Sequence, residues 1–169
     1  MILKILKYPD PVLSQPGEPV TEFNAALRKL VADMFETTYA SQGIGLAAPQ
    51  VGVSKRLTVI DLSMGKTPKD KLVLINPEII FHEGRLYEEE GCLSFPDIRE
   101  KVVRSATVRI RAQNEHGNWF EMDGADLLAR AMQHEIDHLD GMLFIFRMSA
   151  LKRDLNLRKI RKMQRAGEW

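Results

Sequence analysis

The sequence points to an α+β fold: antiparallel or mixed β-sheets packed around a central helix, with further helices toward the N- and C-terminal ends. Three observations predict it. Apolar residues recur at helical spacing between residues 24 and 41 and again in the C-terminal third. Strand-like runs cluster in the middle instead of alternating with helices, which argues against a βαβ repeat. A length of 169 residues, 44% hydrophobic and 28% charged, suits one soluble catalytic domain spanning 1–169 with a real core. No apolar run approaches a membrane span, and the first seven residues are too short for a signal peptide. Together with a single cysteine, this predicts a reducing, cytoplasmic location.

Residues 8–20 carry Pro9, Pro11, Pro16 and Pro19, and read as extended chain wrapping a surface. Asn24 then caps a helix reaching about Ser41. Leu27, Leu30, Val31, Met34, Phe35 and Thr38 form its core-facing stripe. Gly43-Ile44-Gly45-Leu46-Ala47-Ala48-Pro49-Gln50-Val51-Gly52 follows. It lacks the Lys-Ser/Thr ending of a phosphate loop. It is either a tight helix-to-strand connection or one wall of a ligand cleft, with Gln50 offering an amide donor. Strand-like runs cover residues 56–62, 72–76, 78–82 and 102–113, with an exposed loop at 66–71. Asn114-Glu115-His116-Gly117-Asn118 reads as a hairpin turn into Trp119, Phe120, Glu121 and Met122. His82 and His116 sit in polar, turn-prone settings and read as exposed.

The central helix carries the chemistry. Asp123 or Asp126 is a candidate cap, Leu127, Leu128, Ala131 and Met132 supply an apolar body, and Gly141 marks the stop. Within it lies Gln133-His134-Glu135-Ile136-Asp137-His138-Leu139-Asp140-Gly141. His134 and His138 are four residues apart, so both imidazoles project from one face and offer two nitrogens to one divalent metal. Glu135 is close enough to handle a proton. A solvated helix bearing two histidines is the plainer alternative. A catalytic site needs a third protein ligand. The continuation toward a third histidine fails at Phe144, and the acids after Asp140 are only Asp154 and Glu168, so the third ligand comes from elsewhere. Cys92, in Glu88-Glu89-Glu90-Gly91-Cys92-Leu93-Ser94-Phe95-Pro96, is either a buried small hydrophobe or that ligand. Gly91 and Pro96 frame it in a shaped loop. A thiolate with two imidazoles leaves a fourth position open.

The last candidate helix, residues 149–165, puts Leu151, Leu155 and Ile160 on one stripe. Residues 147–165 hold eight bases against one acid in a chain of net charge +1. Such asymmetry points either to an anionic partner, nucleic acid foremost, or to a solvated helix face.

Gly43-Ile44-Gly45-Leu46-Ala47-Ala48-Pro49-Gln50, Glu90-Gly91-Cys92-Leu93-Ser94 and the Gln133–Gly141 stretch resemble, in order and spacing, the three signature motifs of peptide deformylases, and the basic C-terminal helix is similar to that of the Gram-negative type. The resemblance implies a metal-dependent hydrolase that removes the formyl group from the N-terminal formyl-methionine of nascent polypeptides and releases formate. It implies Cys92, His134 and His138 as ligands of ferrous iron, with zinc, nickel or cobalt as substitutes. It makes Glu135 the proton-transfer residue and Gln50 and the Leu93 N–H the oxyanion donors. Ile44, Phe95, Leu127, Arg130 and Ala131 become candidates for the methionine pocket, with Arg130 alternatively at a substrate carbonyl on the rim. The Gly45 backbone and the Gly91 carbonyl are placed to pair with the peptide as an added strand. Gln133, Asp137 or Glu90 is expected to orient a ligand, with Arg104 as counter-charge. The family also suggests ribosome docking through the basic helix. Two alternatives remain at this point: a zinc endopeptidase on the same helix, and a non-catalytic ribosome-binding protein with a structural metal.

Overall fold

A computed structural model describes residues 1–169. The first helix, α1 (Ala25–Ala40), starts where Asn24 accepts a hydrogen bond from the Leu27 N–H at 3.0 Å. Its buried stripe of Leu27, Val31, Met34 and Phe35 packs on the short strand β1 (Gly45–Ala47) and on β2 (Leu57–Ile60), forming a core with Leu46, Leu57, Val59 and Ile75. The chain continues through β3 (Leu72–Glu83), β4 (Leu86–Cys92), β5 (Phe95–Arg104), β6 (Thr107–Gln113) and β7 (Trp119–Ala125) to α2 (Asp126–Leu139) and α3 (Ala150–Arg165). One antiparallel sheet runs β1-β2-β3-β6-β7, and β4 pairs with β5 in a separate hairpin.

α2 sits between these two sheets. Ala129, Ala131, Met132 and Ile136 pack onto Ile60, Leu74, Val108 and Ile110 of the large sheet. A second core under the hairpin joins Phe95, Ile98 and Val102 to Leu143, Phe144, Ile145 and Ile160. Both sides of α2 are therefore covered, and every residue from His134 to Leu139 is buried. Gly141 ends the helix at φ +75°, where a Cβ would lie 2.9 Å from the Ser14 carbonyl oxygen. The proline-rich segment crosses there.

Several sequence expectations need correction. The run at 102–113 is two strands of different sheets, broken at Ser105-Ala106. Val102, Arg104, Val108, Ile110 and Ala112 are all buried, so the period of two continues across the break and conceals it. The runs at 72–76 and 78–82 form one strand, whose register shifts between Ile75 and Glu78, around Pro77. β4 has no apolar alternation to mark it as a strand: its Glu88 and Glu89 are exposed and its only buried residue is Glu90. Neither Asp123 nor Asp126 caps α2. Asp123 lies on β7 and pairs with Arg109, while Asp126 is the first residue of the α2 span, in the left-handed region at φ +53°, and no side chain caps the helix. β7 runs straight into the helix, and the Asp126 N–H donates to the Ala106 carbonyl. The proline segment is not wholly extended, because Pro11–Ser14 form a 3-10 turn under the Asp10 side chain. On α3, Leu151 and Leu155 are exposed and only Asn156 and Ile160 are buried. His82 and His116 are exposed as expected.

Gly141→Ala combines a strained backbone with a steric clash. It is expected to lower stability by about 1–3 kcal/mol in urea denaturation.

Candidate active site

Local structure brings three donor atoms together. β4 ends at Cys92, and residues 92–95 turn tightly into β5, with Cys92 opposite Phe95. That turn aims the sulfur at α2, where His134 and His138 stand one helical turn apart. Cys92 Sγ lies 3.3 Å from His138 Nε2, which lies 3.2 Å from His134 Nε2. All three atoms fall within 4.8 Å of one another. A tetrahedron with corners about 2.0–2.3 Å from its centre has edges of about 3.3–3.8 Å, so the spacing fits one ion of the zinc or iron type. Two imidazole nitrogens and a sulfur converging at this distance can hold one cation between them.

The electrostatics support the same reading. Glu90 Oε2 lies 2.6 Å from His134 Nδ1. A carboxylate only accepts, so Nδ1 carries a hydrogen; burial opposes charge on this ring, but its bonds to Cys92 and Glu90 hold its pKa well above the usual imidazole value, and a cation held by the cluster would take the place of the proton on Nε2. Burial, the neighbouring His134 and Arg104 push the His138 pKa well below the usual imidazole value, so this ring is neutral and able to ligate. Burial opposes charge on Glu90, but its bonds to His134 and Arg104 outweigh burial and hold its carboxyl well below the usual range.

Glu135 follows His134 but turns toward β1 and β2. Its Oε2 lies 3.1 Å from the Thr58 hydroxyl, which also reaches the Leu46 carbonyl at 2.8 Å, and a Cβ on Gly45 would lie 3.1 Å from Oε1. Gly45 thus leaves room for the acid against the strand. Burial raises the Glu135 pKa to about 7, matched to taking up and giving back a proton near neutrality. Gln50 is buried beside the sulfur. Its Oε1 accepts from the Ala47 N–H at 2.9 Å, which turns the Nε2 donor toward Ser94 Oγ at 3.1 Å and Cys92 Sγ at 3.8 Å.

Of these groups, Glu90, Cys92, His134, Glu135 and Gln50 border a cleft of about 630 Å³, whereas His138 does not. Ile44, Gly45, Gly91, Phe95, Leu127, Arg130 and Ala131 line it, with Gln50, Cys92, Leu93, His134 and Glu135. Arg130, however, is no rim donor. It is buried, and its terminal nitrogens donate to Glu90 Oε1 at 2.8 Å and to the Val102 carbonyl at 3.2 Å, while Nε has no partner. Of the three candidates for orienting a ligand, only Glu90 reaches one. Gln133 instead bonds the backbone of Ser105 and Ala129, and Asp137 bonds Arg104 and Arg147. Arg104 does face Glu90, with Nε and Nη2 at 3.1 and 2.7 Å. Thr58, Ser94 and Arg147 were not anticipated. Ser94 lies within the cysteine stretch, whereas nothing local to Thr58 or Arg147 signals a contact with α2.

Comparison with known proteins identifies the family. A family model described as polypeptide deformylase matches residues 2–154. The chain belongs to the peptide deformylase family. A peptide deformylase of Acidobacterium capsulatum is 75% identical over 169 residues, covering 100% of this chain and 99% of that one. One from Thermodesulfovibrio yellowstonii is 49% identical over 160 residues, covering 95% and 97%. The crystal structure of a peptide deformylase from Legionella pneumophila superposes with a TM-score of 0.92 at 46% identity, covering 99% of this chain and 98% of that one. The chain is thus a metal-dependent hydrolase that removes the N-terminal formyl group of nascent peptides. The endopeptidase and non-catalytic alternatives are set aside.

Glu90→Ala strips the shared carboxylate from two buried guanidiniums. The expected loss is about 3–5 kcal/mol of stability in denaturant titration.

Proposed function

We propose that Cys92, His134 and His138 hold the metal, and that Glu135, Gln50 and the Leu93 N–H carry the hydrolysis of the formyl amide. The observation supporting this most strongly is the convergence of the three donor atoms at the cleft beside a buried carboxyl. The thiolate favours a soft or borderline ion, and ferrous iron is the proposed occupant, with zinc, nickel or cobalt able to substitute. A divalent metal held there supplies a Lewis acid that makes water nucleophilic near neutral pH.

The remaining work belongs to the chain's own residues. Glu135 takes a proton from the attacking water as the water oxygen bonds to the formyl carbon. The protonated Glu135 then passes that proton to the amine nitrogen as the C–N bond breaks and formate departs. Gln50 Nε2 and the Leu93 N–H donate to the oxygen that becomes negative. Each such donor is typically worth about 3 kcal/mol in the transition state. Ala47 and Thr58 keep Gln50 and Glu135 aimed. Ile44, Phe95, Leu127, Ala131 and the Arg130 stem receive the methionine side chain, while the Gly45 backbone and Gly91 carbonyl pair with the peptide like an added strand.

On this reading the whole chain acts as one catalytic unit in the cytoplasm. The exposed basic face of α3 docks on the ribosome, where rRNA is the anionic surface. Ile160 and Trp169 pack into the core beneath Phe95, so a deletion would disturb the cleft as well. Arg158, Arg161 and Arg165 are exposed and test docking separately.

Anaerobic purification with metal analysis and a formate-release assay on formyl-Met peptides tests the core of the proposal. Glu135→Gln is expected to keep its metal and lose about 10²–10⁴ in turnover; a variant that still turns over removes the proton-transfer role. Cys92→Ser is expected to lower metal content, and an unchanged content removes the sulfur from the ligand set. Reversing Arg158, Arg161 and Arg165 to Glu is expected to abolish ribosome co-sedimentation while leaving short-peptide activity intact. Undiminished co-sedimentation reduces the basic face to solvated surface.

A further inference from the structure

A chain of ion pairs leaves the site and ends at the surface. Glu90 Oε2, which bonds His134, is also held by Arg104 Nη2 at 2.7 Å. The opposite edge of the Arg104 guanidinium donates from Nη1 to Asp137 Oδ2 at 2.6 Å. Asp137 is then gripped by both edge nitrogens of Arg147, Nη2 to Oδ1 at 2.8 Å and Nε to Oδ2 at 3.0 Å. Exposure rises along the chain: the side chain of Arg104 is 3% exposed, that of Asp137 11% and that of Arg147 44%. Arg147 closes the short turn Phe144–Arg147, two residues before Ser149 caps α3. It lies outside the cleft.

We propose that Arg147 is a positioning residue for the metal ligand His134, acting through Asp137, Arg104 and Glu90. Two of the three links between Arg147 and Glu90's imidazole contact are planar forks, and a fork fixes orientation as well as distance. Without Arg147, Asp137 Oδ1 loses its partner and the carboxylate can rotate. Arg104 Nη1 then loses a fixed acceptor, and the plane in which Arg104 presents its other edge to Glu90 is no longer set. Glu90 defines which His134 nitrogen carries the hydrogen and where the ring points. Arg130 still holds Glu90 Oε1 at 2.8 Å, so slack introduced at the surface reaches the His134 ring through Oε2. Lysine at 147 would keep the charge but replace the fork by a point donor, so it would restore attraction without restoring orientation.

This inference rests on the ligand set proposed above, and metal retention tests it separately from activity. The parent, Arg147→Met, Arg147→Lys and Asp137→Asn are loaded with zinc, and metal release to a chelator is timed; cobalt-loaded samples report ligand geometry through their visible absorption. Outer partners of metal-bound histidines typically change affinity by about 10–100-fold, and Arg147 stands further out. Its loss is therefore expected to speed release by about three- to tenfold and to shift the cobalt bands, with Arg147→Lys intermediate and Asp137→Asn at least as strongly affected. A purely structural role would move the melting temperature and leave release and absorption unchanged. If Arg147→Met and Asp137→Asn both release metal within about twofold of the parent, with the parent's cobalt spectrum, the positioning role is overturned. A parent that binds no metal overturns the ligand set and this inference together.

Discussion

The Glu90 carboxylate is the constraint on which the site depends. It is buried, and it meets the His134 ring and the guanidiniums of Arg104 and Arg130 at 2.6–3.1 Å. A lone carboxylate in that position would be protonated or would draw in water. Two cations and an imidazole N–H keep it ionised instead. The same contacts tie β4, β5 and α2 together, so the group that sets the tautomer of His134 also joins the hairpin to the helix. Stability and ligand geometry thus share one set of atoms.

This sharing explains the placement of α2. An amphipathic helix usually turns one face to solvent. Here the large sheet covers the apolar face, and the hairpin with its charge network covers the polar one. His134, Glu135 and His138 are thereby taken out of water. Burial raises the Glu135 pKa to about 7 and pushes that of His138 well below the usual imidazole value, so one environment sets a carboxyl that can exchange its proton near neutrality beside a neutral imidazole. Gly45 of β1 and Gly91 of β4 both line the cleft.

Much of this was legible in the residues. The α1 stripe and its Asn24 cap, the middle cluster of strands and the helix ending at Gly141 all follow local rules of period and terminus. The strand map was less legible. Val102 to Ala112 keep one alternation through a change of sheet, and β4 carries acids where a strand usually carries apolar residues. Local pattern reports which side is buried, not which neighbour does the burying. Arg130 shows the same limit: its helical position put it at the cleft, but only its buried partner Glu90 shows that its charge is already committed.

By itself, the sequence determined that two imidazoles and a carboxyl share neighbouring faces of one helix, because the 3.6-residue period holds wherever that helix forms. It also supplied the cysteine in a shaped turn and the concentration of positive charge near the C-terminus. Only the tertiary structure decided that a sulfur 46 residues away meets those rings, that Thr58 and Ala47 aim Glu135 and Gln50, and that Arg147 is joined to the site through three intervening side chains. No local rule relates positions so far apart. Their meeting is set by how two sheets close on one helix, and that closure is a property of the packed core.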